Sequence, residues 1–296
     1  MRFTKMQGLG NDFVVVKAEK LPEEPETVAR AVCDRHFGVG ADGLVFILPS
    51  TVADLEMRIF NPDGSEAEMC GNAIRCVARL AYETGLVKKE VLRVQTGAGI
   101  LVPRLCLAGG RVVAVEVDMG EPVLERSLIP MAGPPGRVID EPLLVAGKEF
   151  RVTAVSFGNP HCVIFVPDVN QVNLQEIGPQ IEHHPVFPRR TNVEFVQVIS
   201  REELRVRVWE RGAGVTLACG TGACAAAVAG VLNGLSARRV RVTLPGGELS
   251  ISWADDNHVY MTGPAVPVFT GEWLDEGPAE WEATRTMNGK SSKGGS

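Results

Sequence analysis

The chain repeats itself, and that restricts what it can fold into. Leu55-Glu56-Met57-Arg58-Ile59-Phe60-Asn61 and Leu204-Arg205-Val206-Arg207-Val208-Trp209-Glu210 keep a Leu, an Arg and a closing aromatic in step, 149 positions apart. The same offset places Cys70 on Cys219, Gly85 on Gly234 and Gly97 on Gly246. At an offset of 148, Gly10-Asn11 followed by Phe13-Val14-Val15 matches Gly158-Asn159 followed by His161-Cys162-Val163. A common offset over most of the chain points to two copies of one α/β unit related by duplication. With 296 residues in all, each copy is long enough to bury a core of its own.

Each copy carries one Cys-Gly step, in Met69-Cys70-Gly71-Asn72-Ala73-Ile74-Arg75-Cys76 and in Ala218-Cys219-Gly220-Thr221-Gly222-Ala223-Cys224. Both cysteines end a polar, Gly-containing loop and precede an Ala-rich apolar run of helical composition. Gly85 and Gly234 each lie 15 residues beyond their cysteine, where a helix of about four turns needs its C-terminal glycine. A thiol at a helix N-terminus faces unpaired N–H groups and the positive end of the macrodipole. On that ground both thiols are expected to have lowered pKa values.

The remaining cysteines read differently. Seven in a chain of this length do not make a disulfide framework. Cys33, Cys106 and Cys162 sit among apolar neighbours, and Cys76 and Cys224 lie inside the two helices, as buried small hydrophobes do. Cys219 and Cys224 have a spacing that just fits half a zinc site, but no second pair completes it, so no metal is expected. No Cys-x-x-Cys redox motif is present. A net charge of −6 gives no reason to expect nucleic acid or an anionic membrane as partner. No apolar stretch approaches transmembrane length and no signal-peptide h-region follows Met1, so a cytoplasmic protein with reduced thiols is the expectation.

Short β-branched or aromatic runs predict strands at 12–17, 43–48, 56–60, 92–95 and 111–117 in the first half. The second half gives 152–155, 162–166, 193–199, 204–209, 240–244 and 249–253. Besides the two Cys-Gly helices, Val28 to His36 and Asn170 to His183 read as helical. The expected division is residues 1–118 as one domain and 119–263 as the other, with 264–274 returning to the first. Residues 275–296 form a tail that is partly disordered, most clearly from Met287 to Ser296.

Two thiols, one from each of two facing copies, suit the inversion of a carbon stereocentre. A thiolate removes a proton from one face while a thiol delivers one to the other. Two helix N-termini opening on the same cleft also stabilise a carboxylate that gains negative charge. The reading is a cofactor-independent racemase or epimerase acting on an amino or related carboxylic acid.

The motifs then resemble one family specifically. Gly8-Leu9-Gly10-Asn11-Asp12-Phe13, Phe60-Asn61-Pro62-Asp63-Gly64-Ser65, the Cys70 segment, Gly158-Asn159-Pro160-His161-Cys162, Glu210-Arg211-Gly212-Ala213-Gly214 and the Cys219 segment resemble diaminopimelate epimerase, in the family's order, from about Met1 to Trp273. The resemblance implies two homologous pseudo-symmetric α/β (α+β) domains, each a curved, mostly antiparallel sheet or barrel around a central helix. It implies interconversion of LL- and meso-diaminopimelate without pyridoxal phosphate or other cofactor, in lysine and peptidoglycan precursor synthesis, by a homodimer.

Position by position, the resemblance makes Cys219 the base toward the L centre and Cys70 the acid. The N–H groups of Gly71, Asn72, Gly220 and Thr221 would hold the carboxylate at the reacting carbon. Asn11, Asn61, Asn159, Asn192, Glu210 and Arg211 would contact the substrate, chiefly its distal end. His161 and Glu210 would adjust thiol ionisation. Some members have a Gln where this chain has Gly43, and no side-chain contact is carried over there.

Proline racemases and hydroxyproline epimerases share the opposed cysteines. They typically have His at the place of Asn72 and Ser-Pro at Leu217-Ala218. Phenazine-pathway isomerases lack the thiol pair, and a non-catalytic amino-acid-binding protein needs none.

Overall fold

The computed structural model describes residues 1–274, so the expected tail at 275–296 lies outside the described residues. Two mixed sheets of eight and eleven strands carry the fold. The duplication shows in their registers. Asn11–Lys17 runs parallel to Gly43–Leu48 with Phe13 opposite Gly43, and Pro160–Phe165 runs parallel to Asn192–Ser200 with His161 opposite Asn192. Leu55–Phe60 pairs with Glu66–Ala67 through Ile59 and Ala67, as Glu203–Glu210 pairs with Gly214–Thr216 through Val208 and Thr216. The remaining strand pairs are antiparallel, apart from Leu55–Phe60 with Val94–Thr96 and its counterpart Glu203–Glu210 with Arg239–Leu244.

Among the described residues four α-helices accompany the sheets: α1 (Pro25–Cys33), α2 (Gly71–Glu83), α3 (Leu174–Glu182) and α4 (Gly220–Leu232). The equivalent helices α2 and α4 have 13 residues each, and each ends at its glycine, Gly85 at φ 71° and Gly234 at φ 69°. That left-handed conformation costs glycine nothing and directs N–H groups back to the last carbonyls, such as Leu235 N to Gly230 O at 2.8 Å. From Gly222 to Gly230, α4 is buried throughout, and its small side chains let the second sheet wrap closely around it. Helix α2 is amphipathic instead, burying Asn72–Ala78 and Ala81 while Arg79 and Glu83 pair on the outer side at 2.9 Å. Both helices belong to one continuous apolar core with strands of both sheets.

The outer helices depart from the expected bounds. Helix α1 starts earlier than Val28 because Pro25 presets the first turn. It stops at Cys33 because the Asp34 carboxylate accepts the N–H groups of His36 and Phe37 at 2.8 and 2.9 Å and turns the chain. The segment expected as one helix from Asn170 divides into a 3₁₀ turn at Val169–Gln171, capped by Asp168, and α3.

Two pairings cross between the copies. Val266–Glu272 lies beside Arg2–Gly8 in the first sheet, while Arg111–Asp118 joins the second sheet beside Val259–Gly263. The two copies also meet at Gly246. A Cβ there would lie 1.9 Å from the Leu9 carbonyl oxygen, so no other residue fits without moving the first-copy loop.

Candidate active site

Cys70 and Cys219 are the N-cap residues of α2 and α4, with extended backbones at φ −144° and −121°. Neither side chain caps its own helix, so the first-turn N–H groups face outward. Both helix starts open on one cleft of about 910 Å³. They converge on a single side chain. A Cβ on Gly71 would lie 3.0 Å from Met261 Cε, and one on Gly220 would lie 3.0 Å from Met261 Sδ. Met261, fully buried, therefore lies against both N-termini, and a larger residue at either glycine would have to displace its flexible thioether end.

Around Cys70 the polar groups form a chain. The Cys70 thiol points at Asn11 Oδ1, 3.8 Å away, which also accepts from Asn72 Nδ2 at 3.0 Å. Asn11 Nδ2 donates to Asp42 at 2.9 Å, and Arg35 bridges Asp42 and Asp12 at 2.7 Å to each. Burial alone would raise Asp12, but bonds from Arg35 and Lys5 and the contact with Asp42 hold its carboxyl at about 2. Behind the helix start, Arg75 donates to Asn72 Oδ1 at 2.6 Å and to the Gly71 carbonyl at 2.9 Å.

Around Cys219 the chain is built from other residues. Thr221 Oγ1 lies 3.5 Å from Cys219 Sγ and accepts from Asn159 Nδ2 at 3.2 Å. Asn159 Oδ1 meets His161 Nε2 at 3.1 Å, and His161 Nδ1 meets Glu194 Oε1 at 2.7 Å. Glu210 accepts from the Thr216 hydroxyl, and burial pushes its carboxyl up.

The expectation of lowered thiol pKa values is corrected by burial. Desolvation raises Cys70 against the pull of the Ala73 and Asn72 N–H groups and Arg75. It raises Cys219 well above the ordinary value, and the charges of Glu210 and Glu194 add to it. Removing water from a thiolate outweighs the partial charges of one helix end.

The cleft collects Asn11, Asn61, Cys70, Gly71, Asn72, Asn159, Glu210, Cys219, Gly220 and Thr221 along its lining. Three predicted residues lie elsewhere. His161 is fully buried behind the Asn159–Thr221 pair. Asn192, also buried, donates to the Pro160 carbonyl and accepts from Arg211 N, each at 2.9 Å, so it fixes the Arg211 loop. Arg211 is exposed and donates to the Arg189 carbonyl at 3.1 Å. Sequence reasoning missed Arg35, Asp42 and Glu68, which line the cleft, and Glu194, which does not. Glu194 had a signal: a lone carboxylate inside the apolar strand Val193-Glu194-Phe195-Val196.

The sequence model of diaminopimelate epimerase matches residues 3–125 and 153–268. The diaminopimelate epimerase of Pelotomaculum thermopropionicum is 63% identical over 92% of this chain and 99% of its own length. That of Moorella thermoacetica is 64% identical over the same shares. The chain belongs to the diaminopimelate epimerase family. It is thus an isomerase acting on a small molecule. Solved structures with the same fold include a phenazine biosynthesis protein of Bacillus anthracis, at TM-score 0.69 and 18% identity, covering 93% of this chain and 99% of that one. A probable proline racemase of Agrobacterium radiobacter superposes at TM-score 0.69 and 15% identity, covering 93% of each. The chain thus shares its architecture with proteins that are at most 18% identical to it.

Proposed function

We propose that this epimerase interconverts LL- and meso-diaminopimelate with Cys70 and Cys219 as its two acid/base groups. The observation that carries this is the convergence of both Cys-Gly helix starts on Met261 at one cleft. A thiolate on one side takes the α-proton, and the electron pair is delocalised into the adjacent carboxylate. The thiol on the opposite side then gives its own proton to that carbon, so one proton is gained and one released. Cys219 serves as base toward the L centre and Cys70 as the acid. The N–H groups of Gly71, Asn72, Gly220 and Thr221 receive the carboxylate as charge builds on it.

The distal end of the substrate is read by Asn11, Asn61, Asn159 and Glu210, whose oxygens suit an ammonium group. Arg211 forks onto the distal carboxylate once the Gly212–Gly214 loop turns inward and the Arg189 carbonyl is released; Asn192 holds the loop's base. Asn72 in place of His and Leu217-Ala218 in place of Ser-Pro favour the diamino diacid over proline. His161 and Glu210 act on thiol ionisation from behind and across the cleft. The enzyme works in the cytoplasm as a homodimer without cofactor. Val266, Val268 and Phe269, exposed on the edge strand Val266–Glu272, support pairing between copies.

The test is solvent-deuterium exchange at the α-carbon, run on LL-diaminopimelate and L-proline side by side with reduced enzyme. Exchange and meso product are expected with the first substrate alone. No exchange and no meso product would sink the assignment.

A further inference from the structure

Arg75 is fully buried, yet every acceptor around its guanidinium is neutral. It donates to the Gly71 carbonyl at 2.9 Å, Asn72 Oδ1 at 2.6 Å and the Pro264 carbonyl at 3.2 Å, and it faces Met261 Sδ at 3.8 Å. Among the described residues, no carboxylate lies within ion-pair distance of it. A buried cation without a counter-charge is strongly unfavourable, so the fold retains it against a cost. Arg75 thus holds Gly71 and Asn72, the two residues that follow Cys70, and the thiols within its field are those of Cys76, Cys70 and Cys224. Cys76 and Cys224 are sealed in the core, and burial pushes both up to about 12. Cys70 alone of the three opens on the cleft.

The duplication provides an internal comparison. The counterparts of Arg75, Asn61, Val45 and Phe13 are Cys224, Glu210, Glu194 and His161. The Cys70 side therefore holds a buried cation among neutral residues. Opposite it, the Cys219 side holds two carboxylates, with His161 engaged by Glu194. Glu210 raises Cys219 from its own side of the cleft and Cys70 from across it.

We propose that Arg75 is a positioning residue whose charge is balanced by the Cys70 thiolate, so that Cys70 gives up its proton before Cys219 in the free enzyme. This rests on the two-thiol reading of the site. The free enzyme then presents Cys70 as the ready base, and Cys219 as the ready proton donor, for the reverse direction that starts from the D centre. After one turnover the proton sits on Cys70 and the thiolate on Cys219. The enzyme resets when Cys70 releases a proton to water and Cys219 takes one up.

Initial rates of iodoacetamide alkylation, followed peptide by peptide across pH on the reduced full chain, test it. Cys70 should react with the lower midpoint, and at neutral pH about tenfold faster than Cys219. Arg75→Gln should bring the two rates together, while Arg75→Lys should keep most of the difference. Cys219 reacting first in the unsubstituted enzyme overturns the order, whatever the variants do. An unchanged ratio in a folded Arg75→Gln overturns the role of Arg75. Failure of the two-thiol reading looks different: Cys70→Ala enzyme would still exchange the α-proton and form product.

Discussion

His161 Nδ1 lies 2.7 Å from Glu194 Oε1, and neither side chain reaches solvent. The second oxygen, Glu194 Oε2, is buried without a hydrogen-bond partner among the described residues. The first copy fills the equivalent places with Phe13 and Val45, both buried. One duplicated framework has therefore evolved a polar and an apolar solution at the same two positions.

The contrast supplies a prediction. Glu194→Ala leaves His161 Nδ1 buried without its partner, though Nε2 keeps Asn159, and should cost about 1–3 kcal/mol. The double variant His161→Phe, Glu194→Val copies the first lobe and should recover most of that stability. Its turnover should stay low, because Asn159 and Thr221 lose the group that orders them behind Cys219. Denaturant melts and epimerase rates on the same preparations check both halves; a double variant as unstable as Glu194→Ala would contradict the buried-pair account.

Gly222→Ala offers a second test, since helix propensity and packing disagree on its sign. At an ordinary helical site the change gains about 1 kcal/mol. Here the new Cβ would lie 2.7 Å from Glu194 Oε1 and 3.3 Å from Cys219 Sγ. The variant should instead lose about 1–3 kcal/mol by overpacking, and turnover should fall as the carboxylate leaves His161. Thermal melts showing a variant as stable as the parent would mean that this contact is not made in solution.

Cys70→Ala and Cys219→Ala should each reduce epimerisation by at least about 10²–10⁴-fold with the fold retained. Circular dichroism establishes the fold, and product formation in deuterated water reads the loss. Substantial turnover in either variant would contradict a two-base scheme.

Alkaline pH should weaken the fold through its structural thiols. Burial raises Cys76 and Cys224 from the ordinary 9.0 to about 12 in the folded chain. Their stabilising contribution is whole below pH 9 and is lost as pH rises toward 12, because only the unfolded chain ionises freely there. Each thiol should remove about 1.4 kcal/mol per pH unit in that window. Cys224→Ala should flatten the fall by that amount, measured by guanidinium unfolding at several pH values; parallel slopes for parent and variant would refute it.

Much of this was legible because duplication prints each local rule twice. The helix starts at Cys70 and Cys219, their glycine ends and most strands follow from turn chemistry and apolar runs within a short window. Arg2–Gly8 escaped because Thr4, Lys5 and Gln7 disguise a strand, and Asp12, 2.5 Å from the buried Lys5 ammonium, together with the Gly40 carbonyl that accepts from it, makes that lysine acceptable there. Met261 and Glu194 escaped because their partners come from distant segments. Arg75 and Arg211 show the same limit from opposite sides. One arginine inside an apolar helix is sealed in, and one in a glycine loop turns outward, and no local pattern separates them.

The strand Val266–Glu272 completes the sheet edge beside Arg2–Gly8, and the Met1 ammonium donates to the Trp273 carbonyl at 2.6 Å. Arg2–Gly8 is thus synthesised well before its neighbour Val266–Glu272. Until that neighbour leaves the ribosome, Arg2–Gly8 exposes an unpaired edge that any nascent strand can join. Completion of the first sheet in this sense waits for a late segment, and the partly made chain is open to misassembly at that edge.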